Sequence, residues 1–415
     1  MNSKQKIYNF LRWSEKYTRT DMVYLAKGGF WLTAEQVVTS LAGIILAIAF
    51  ANLLPKETYG VYRYVLSLVG ILSVFSLTGM NTAIVRTVAQ GNEGVLASVL
   101  GTRLRWGVLG GVVSLGLAGF YFLNHNITLI FCFLIAAVFL PFMDSLTIYE
   151  SFWEGKKLFR MRASYNILVR VAAVIILVIT LILTKNLVLI LLAYFCSYTF
   201  LRLICFLATL KKSFSHHKDL ETISYGKHLS IMNIMGMVSA QADKVLLWYF
   251  LGPVSLASYV LALAPVDNIG SLFKNLFPLS LPKFSEQPLK AIQATLFKKI
   301  TKLFLMIIPL GGLYIILAPW IFKFFFPAYT EAIPYSQFYI IAILIMIPQV
   351  PLGAVLAAKM RKKELYIVKF TSPLAEIFLL LILLPLYGIW GAIMSAIFTQ
   401  VINFALLLFL LKRME

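Results

Sequence analysis

The chain has 415 residues, of which 60% are hydrophobic and only 13% charged, and its mean hydropathy is +0.86. Soluble proteins run roughly 45–50% apolar and about 25% charged, so a soluble multidomain protein is excluded. So is one anchor on a soluble body, because apolar runs of spanning length, about 20 residues, recur along the whole chain. The formal net charge of +20 does not point to nucleic acid, since the basic residues alternate with apolar spans instead of forming one patch.

In chain order, residues 1–29 form a basic segment with Lys4, Lys6, Arg12, Lys16, Arg19 and Lys27. It lacks the apolar stretch and small-residue cleavage site of a signal peptide. Ile7, Phe10, Leu11, Trp13 and Tyr17 among these charges fit an interfacial amphipathic helix. Twelve spans follow, at 30–53, 59–85, 106–123, 127–149, 163–183 and 187–210, then at 229–251, 255–281, 303–322, 333–357, 365–386 and 388–411. The reading is all-α: an amino-terminal six-helix lobe over 30–210, a linker over 211–228, and a carboxy-terminal six-helix lobe over 229–415 ending in a short tail. The linker carries His216 and His217. With no further ligands at useful spacing they read as solvated loop, and Cys132, Cys196 and Cys205, all in apolar runs, read as packing residues.

Charge fixes the orientation. With the amino terminus inside, 28 of the 37 basic residues fall in inner segments and three (Lys56, Lys185, Lys323) in outer ones. Cytoplasmic loops carry the excess of Lys and Arg, so both termini are expected in the cytoplasm. The remaining six, Arg63, Arg170, Arg202, Lys244, Lys274 and Lys369, lie inside spans.

The stretch NLLPKETYGVY (52–62) leaves the first span and YFLGPVSLASY (249–259) leaves the seventh. Aligned without gaps, Leu54 meets Leu251, Gly60 meets Ala257 and Tyr62 meets Tyr259, an offset of 197 residues. Two copies of like orientation predict lobes related by an axis along the membrane normal, with a cavity between them. With KGGFW (27–31), ANLLPKETYGVYRY (51–64), LTGMNTAIVRTVAQ (77–90) and ADKVLLWYFLGPVSLASYVLA (242–262), the chain resembles the Wzx-type O-antigen and capsule polysaccharide flippases of the MOP exporter superfamily. The resemblance implies inner-to-outer leaflet transport of undecaprenyl-diphosphate-linked oligosaccharide in the plasma (inner) membrane. It implies no resident cofactor. The implied partners are the lipid-linked glycan, the bilayer, and a polysaccharide polymerase with its chain-length regulator.

Charges at bilayer depth are costly, roughly 2.5–3.5 kcal/mol on the translocon scale, and usually face a cavity or a partner. Arg63, Arg170, Arg202, Lys244 and Lys274 are the candidate cations for a diphosphate. The alternative is static pairing, such as Arg170 with Asp144, or Lys244 with Asp243 or Asp267. Asp243, Asp267 and Glu376 are the deepest acids, and with Thr399, Gln400 and Asn403 they form a candidate proton or sodium site. Related superfamily members hold sodium between the corresponding spans seven, eleven and twelve, which the resemblance carries to Asp243, Glu376 and Thr399. Pro265 and the group Pro348, Gln349, Pro351 and Gly353 are expected to kink spans eight and ten. Tyr59, Tyr62, Trp248, Tyr249 and Trp320 are expected in an interfacial aromatic belt.

Two other function classes compete. A membrane enzyme of the same pathway needs a sizeable outer loop with convergent Asp, Arg or His, and the outer connections here are short. A multidrug or ion antiporter of the same superfamily shares the twelve-span layout. No Walker A or HExxH motif occurs, so nothing supports an ATP-driven pump or a zinc protease.

Overall fold

The computed structural model describes residues 22–212, 220–274 and 289–413, and among these no strand occurs. The helices are α1 (Met22–Leu53), α2 (Lys56–Leu72), α3 (Met80–Ala89), α4 (Val95–Leu123), α5 (Ile127–Met143), α6 (Ile148–Gly155), α7 (Phe159–Leu183) and α8 (Leu187–Leu210). The second half holds α9 (Leu220–Lys274), α10 (Leu289–Phe325), α11 (Ile333–Met346), α12 (Gln349–Ala358), α13 (Lys362–Tyr387) and α14 (Ile389–Lys412). Residues 1–21, with the expected amphipathic helix, and His216–His217 of the linker lie outside the described residues.

Eleven helical segments among the described residues are long and apolar enough to cross a membrane. One of them, 221–271, has 51 residues, about twice what a core of roughly 30 Å requires at 1.5 Å per residue. Gly252 divides it, with φ 77° and ψ −175°. That conformation is open to glycine and strained for residues with a Cβ. The two arms lie side by side, since the Tyr259 hydroxyl on the second donates to Asp243 Oδ2 on the first at 2.9 Å. Eleven segments therefore make twelve crossings. The first half turns at the matching point of its repeat, where Pro55 (φ −59°, ψ 145°) separates α1 from α2.

Several spans are broken. Span two stops at Leu72, runs through a 3-10 turn over Ser73–Ser76, reaches Leu77 in the left-handed region (φ 53°) and resumes as α3. Span four breaks at Asp144 before α6, and span ten breaks at Ile347–Pro348, as its prolines predict. Pro265 does not interrupt its helix, which continues to Lys274. Four helices begin well before the sequence expectation: α1 at Met22, α4 at Val95, α9 at Leu220 and α10 at Leu289. The early start of α4 places Arg103, one of the 28 basic residues assigned to inner segments, inside a helix and fully buried.

The two halves meet along a long antiparallel seam between α2–α3 and the first arm of α9. Tyr64 stacks on Trp248 with centroids 4.3 Å apart. Gly79 N–H donates to Ser230 Oγ at 3.0 Å, and the Thr87 and Thr222 hydroxyls lie 2.5 Å apart. At the opposite end Lys56 Nζ contacts Glu331 Oε1 at 2.7 Å, and Ser258 Oγ donates to the same oxygen at 2.9 Å. Tyr59 and Tyr62 do not join an aromatic belt. They are 3% and 2% exposed, and the Tyr62 ring stacks on Phe50 at 4.5 Å. Tyr62 packs the first half against α1 and α8, whereas Tyr59 lines a cavity between the halves. Tyr249 and Trp320, 78% and 74% exposed, do face outward.

Candidate functional site

A cavity of about 590 Å³ opens between the halves. On α1 its wall is Gln36, Thr39, Ser40, Gly43 and Ala47, which recur at helical spacing on one face. Arg63 comes from α2, Arg170 from α7 and Lys244 from the first arm of α9, while the second arm adds Asp267, Asn268 and Ser271. Three cations thus share the wall with one carboxylate. Gln36 Nε2 donates to Ser271 Oγ at 3.0 Å, joining α1 to the second arm.

Each cation is held differently. Arg170 Nη1 donates to the Tyr198 hydroxyl at 2.7 Å, and its Nη2 passes over Gly43, where a Cβ would stand 3.3 Å away. Arg63 Nε is buried with no hydrogen-bond partner. Desolvating a guanidinium donor without a partner is unfavourable, and an anion in the cavity would relieve it. Lys244 Nζ contacts Asp243 Oδ1 at 3.1 Å, and Asp243 also accepts from the Lys244 backbone N–H at 2.8 Å. The structure thus brings together Arg63, Arg170, Lys244 and Asp267, with Asp243 directly behind.

Other expected site residues lie elsewhere. Arg202 donates to the Met143 carbonyl at 2.7 Å and sits 3.6 Å from Asp144, at the break in span four. Asp144 is therefore the neighbour of Arg202 and not the partner of Arg170. Asp267 accepts from the Tyr339 hydroxyl at 2.9 Å. Glu376 accepts from Ser239 Oγ and lies close enough to Asp243 and Lys244 for their charges to interact. Thr399 is 4% exposed with Oγ1 unpartnered, one turn beyond Ser395, whose hydroxyl donates to the Glu376 carbonyl at 3.3 Å. The Lys274 side chain lies outside the described residues.

Sequence reasoning missed three arrangements. Arg103 donates through Nε to the Ser76 carbonyl and through Nη1 to Asn81 Oδ1, both at 2.7 Å, and so bridges the break in span two. Its spacing from Val95 and Val99, one helical turn each, was the available signal. Gln349, Gln400 and Asn403 form a half-buried amide cluster, with Asn403 Nδ2 donating to Gln349 Oε1 at 2.6 Å. The third is a second cavity of about 410 Å³, almost wholly apolar, lined by Val37, Leu41, Ile44, Pro265, Ile269 and Phe325 among others. It shares Ser40, Ala47, Ala264 and Asn268 with the cationic cavity, and Val37 and Leu41 beside it are exposed on the flank of α1.

The sequence model of the family described as polysaccharide biosynthesis protein matches residues 25–288. No curated protein matches the chain in sequence. Among solved structures, the lipid II flippase MurJ in an inward closed conformation superposes with a TM-score of 0.64 at 17% identity, over 92% of this chain and 87% of that one. An inward-facing MATE family multidrug resistance transporter of the MOP superfamily also gives 0.64, at 12% identity over 90% and 94%. A MOP superfamily transporter from Pyrococcus furiosus gives 0.60, at 13% identity over 94% and 95%. At such identities the likeness establishes the fold, which is that of the MATE and MurJ proteins. These neighbours are transporters and flippases, not enzymes.

Proposed function

The chain belongs to the polysaccharide biosynthesis protein family, and from that premise we propose that it is a flippase for polyprenyl-diphosphate-linked oligosaccharide. One observation carries this reading. A cationic cavity and an apolar cavity lie side by side between the halves and share four wall residues. Arg63, Arg170 and Lys244 suit a diphosphate, arginine offering a planar donor fork. The apolar cavity suits an isoprenoid tail that stays in contact with lipid. A drug cation would meet a wall of the wrong charge.

The proposed site is the plasma membrane, with both termini cytoplasmic and the Lys56 end outside, as the distribution of basic residues supports. Transport exposes the cavity alternately at the two ends as the six-helix halves rock, driven by a proton or sodium gradient acting on Asp243, Asp267, Glu376 or Thr399. The glycan then passes to a polymerase and its chain-length regulator. Vesicles containing the purified protein and a polyprenyl-diphosphate oligosaccharide test this reading. The glycan should reach the opposite leaflet, measured by protection from an external glycosidase, faster than in protein-free vesicles. Equal rates would sink the proposal, and extrusion of a cationic dye in its place would assign the chain to the drug antiporters.

A further inference from the structure

A separate cleft of about 610 Å³ opens at the Lys56 end, between the starts of α2, α5 and α8 and the close of the first arm of α9. It shares no lining residue with the central cavity. Its polar lining includes Glu57, Asn126, Thr128, Lys185 and Asn186, its aromatic lining is Trp248 and Phe131, and aliphatic side chains make up much of the rest. The indole is fixed: it stacks on Tyr64 at an interplanar angle of 12°, and the Tyr64 hydroxyl is held 2.6 Å from that of Tyr121. The two asparagines are fixed as well. Asn126 Oδ1 accepts from the Leu129 N–H at 3.1 Å and Asn186 Oδ1 from the Val188 N–H at 2.9 Å. Each thereby keeps an Nδ2 amide for another acceptor, because an amide offers both groups.

We propose that this cleft is a carbohydrate-binding site, distinct from the cavity that holds the diphosphate. A sugar ring has apolar C–H faces and an edge of hydroxyls that both donate and accept. It therefore needs a rigid aromatic wall together with mixed donors and acceptors. Trp248 supplies the wall, Asn126, Asn186 and Lys185 the donors, Glu57 the acceptor, and Thr128 either. One cation and one acid leave the lining neutral, which suits an uncharged glycan better than a phospholipid headgroup. The volume falls within the roughly 300–1,000 Å³ of small-ligand sites. The inference rests on the proposed function only for the source of the glycan, which is the head group delivered to the outer face.

The full-length protein in detergent is applied to an array of bacterial glycans that carry neither lipid nor diphosphate. Wild type should retain at least one glycan, and inorganic diphosphate should not displace it. Trp248→Ala should weaken retention roughly tenfold. Because Trp248 also packs in the seam, Thr128→Trp serves as a second variant, filling the cleft from an exposed position and abolishing retention while the melting temperature holds. The inference is overturned if wild type retains no glycan, if both variants bind as wild type, or if diphosphate or phosphatidylglycerol vesicles displace the glycan. Glycan retention by a protein that fails to move lipid-linked oligosaccharide would keep this site and remove the proposed function.

Discussion

Gly60 rests on the backbone of Pro253, so that a Cβ at residue 60 would stand 2.0 Å from the Pro253 carbonyl oxygen. The contact joins the two copies of the repeat, one turn from Lys56, which pairs with Glu331. Since the clash is with backbone, side-chain adjustment cannot relieve it, and overpacking of this kind costs about 1–3 kcal/mol. Gly60→Ala is therefore expected to part the halves at the Lys56 end. In a background without Cys132, Cys196 and Cys205, a cysteine at the buried Ser258 should react faster with a soluble maleimide once Gly60 is Ala. Equal rates would show that the seam yields without opening.

The twelve crossings were legible because hydropathy reports length and basic residues report sides. The breaks were not. A 3-10 turn inside an apolar run, as at Ser73–Ser76, leaves hydropathy unchanged, whereas the prolines at 348 and 351 announced the break in span ten. Arg63, Arg170, Lys244 and Asp267 were legible as charges inside spans, and they are the four of nine candidate residues that four separate helical arms bring to one cavity wall. Depth could not tell Arg202, which satisfies a carbonyl freed by a helix break, from Arg170, which reaches the cavity. Nor could it expose Arg103, whose helix continues below the apolar run. Tyr59 and Tyr62 were misplaced because position along a span says nothing about which side of the helix faces protein.

The cations separate by role. Arg63→Ala and Arg170→Ala are expected to lower glycan export while membrane abundance stays near wild type. Arg202→Ala should lower abundance, because the Met143 carbonyl loses its donor and Asp144 its neighbouring charge, a loss of roughly 1–3 kcal/mol. Quantitative immunoblotting alongside export assays checks both. Normal export in both cavity variants would remove the diphosphate role of these arginines.

Arg103 ties the two sides of the break in span two together. Its guanidinium is fully buried and serves two acceptors on either side of the left-handed Leu77. A lysine has no planar fork to reach both. Arg103→Lys is therefore expected to destabilise the protein by about 1–3 kcal/mol, since one acceptor stays unsatisfied, and Arg103→Ala by at least as much. Thermal melting in detergent should show both falls, with trypsin cleavage appearing first near residue 77. A melting temperature unchanged in both variants would mean that the break holds without its bridge.

Asp243 accepts from Tyr259, from the Lys244 backbone and from Lys244 Nζ. Glu376 accepts from Ser239 and sits one helix away, near enough for the two acids to influence each other. Replacing either carboxylate by its amide keeps the shape and removes the titratable charge. The consequences should differ. Glu376→Gln retains an oxygen to accept from Ser239 and is expected to fold normally, with transport in vesicles less dependent on a proton or sodium gradient. Asp243→Asn takes the counter-charge from Lys244 and is expected to lower folded yield as well, because a partly buried ammonium without its carboxylate is destabilising. A second change, Lys244→Met, should restore yield to Asp243→Asn without restoring gradient dependence if Asp243 has both roles. Wild-type transport indifferent to both gradients would remove coupling altogether and leave a flippase drawn forward by consumption of its product.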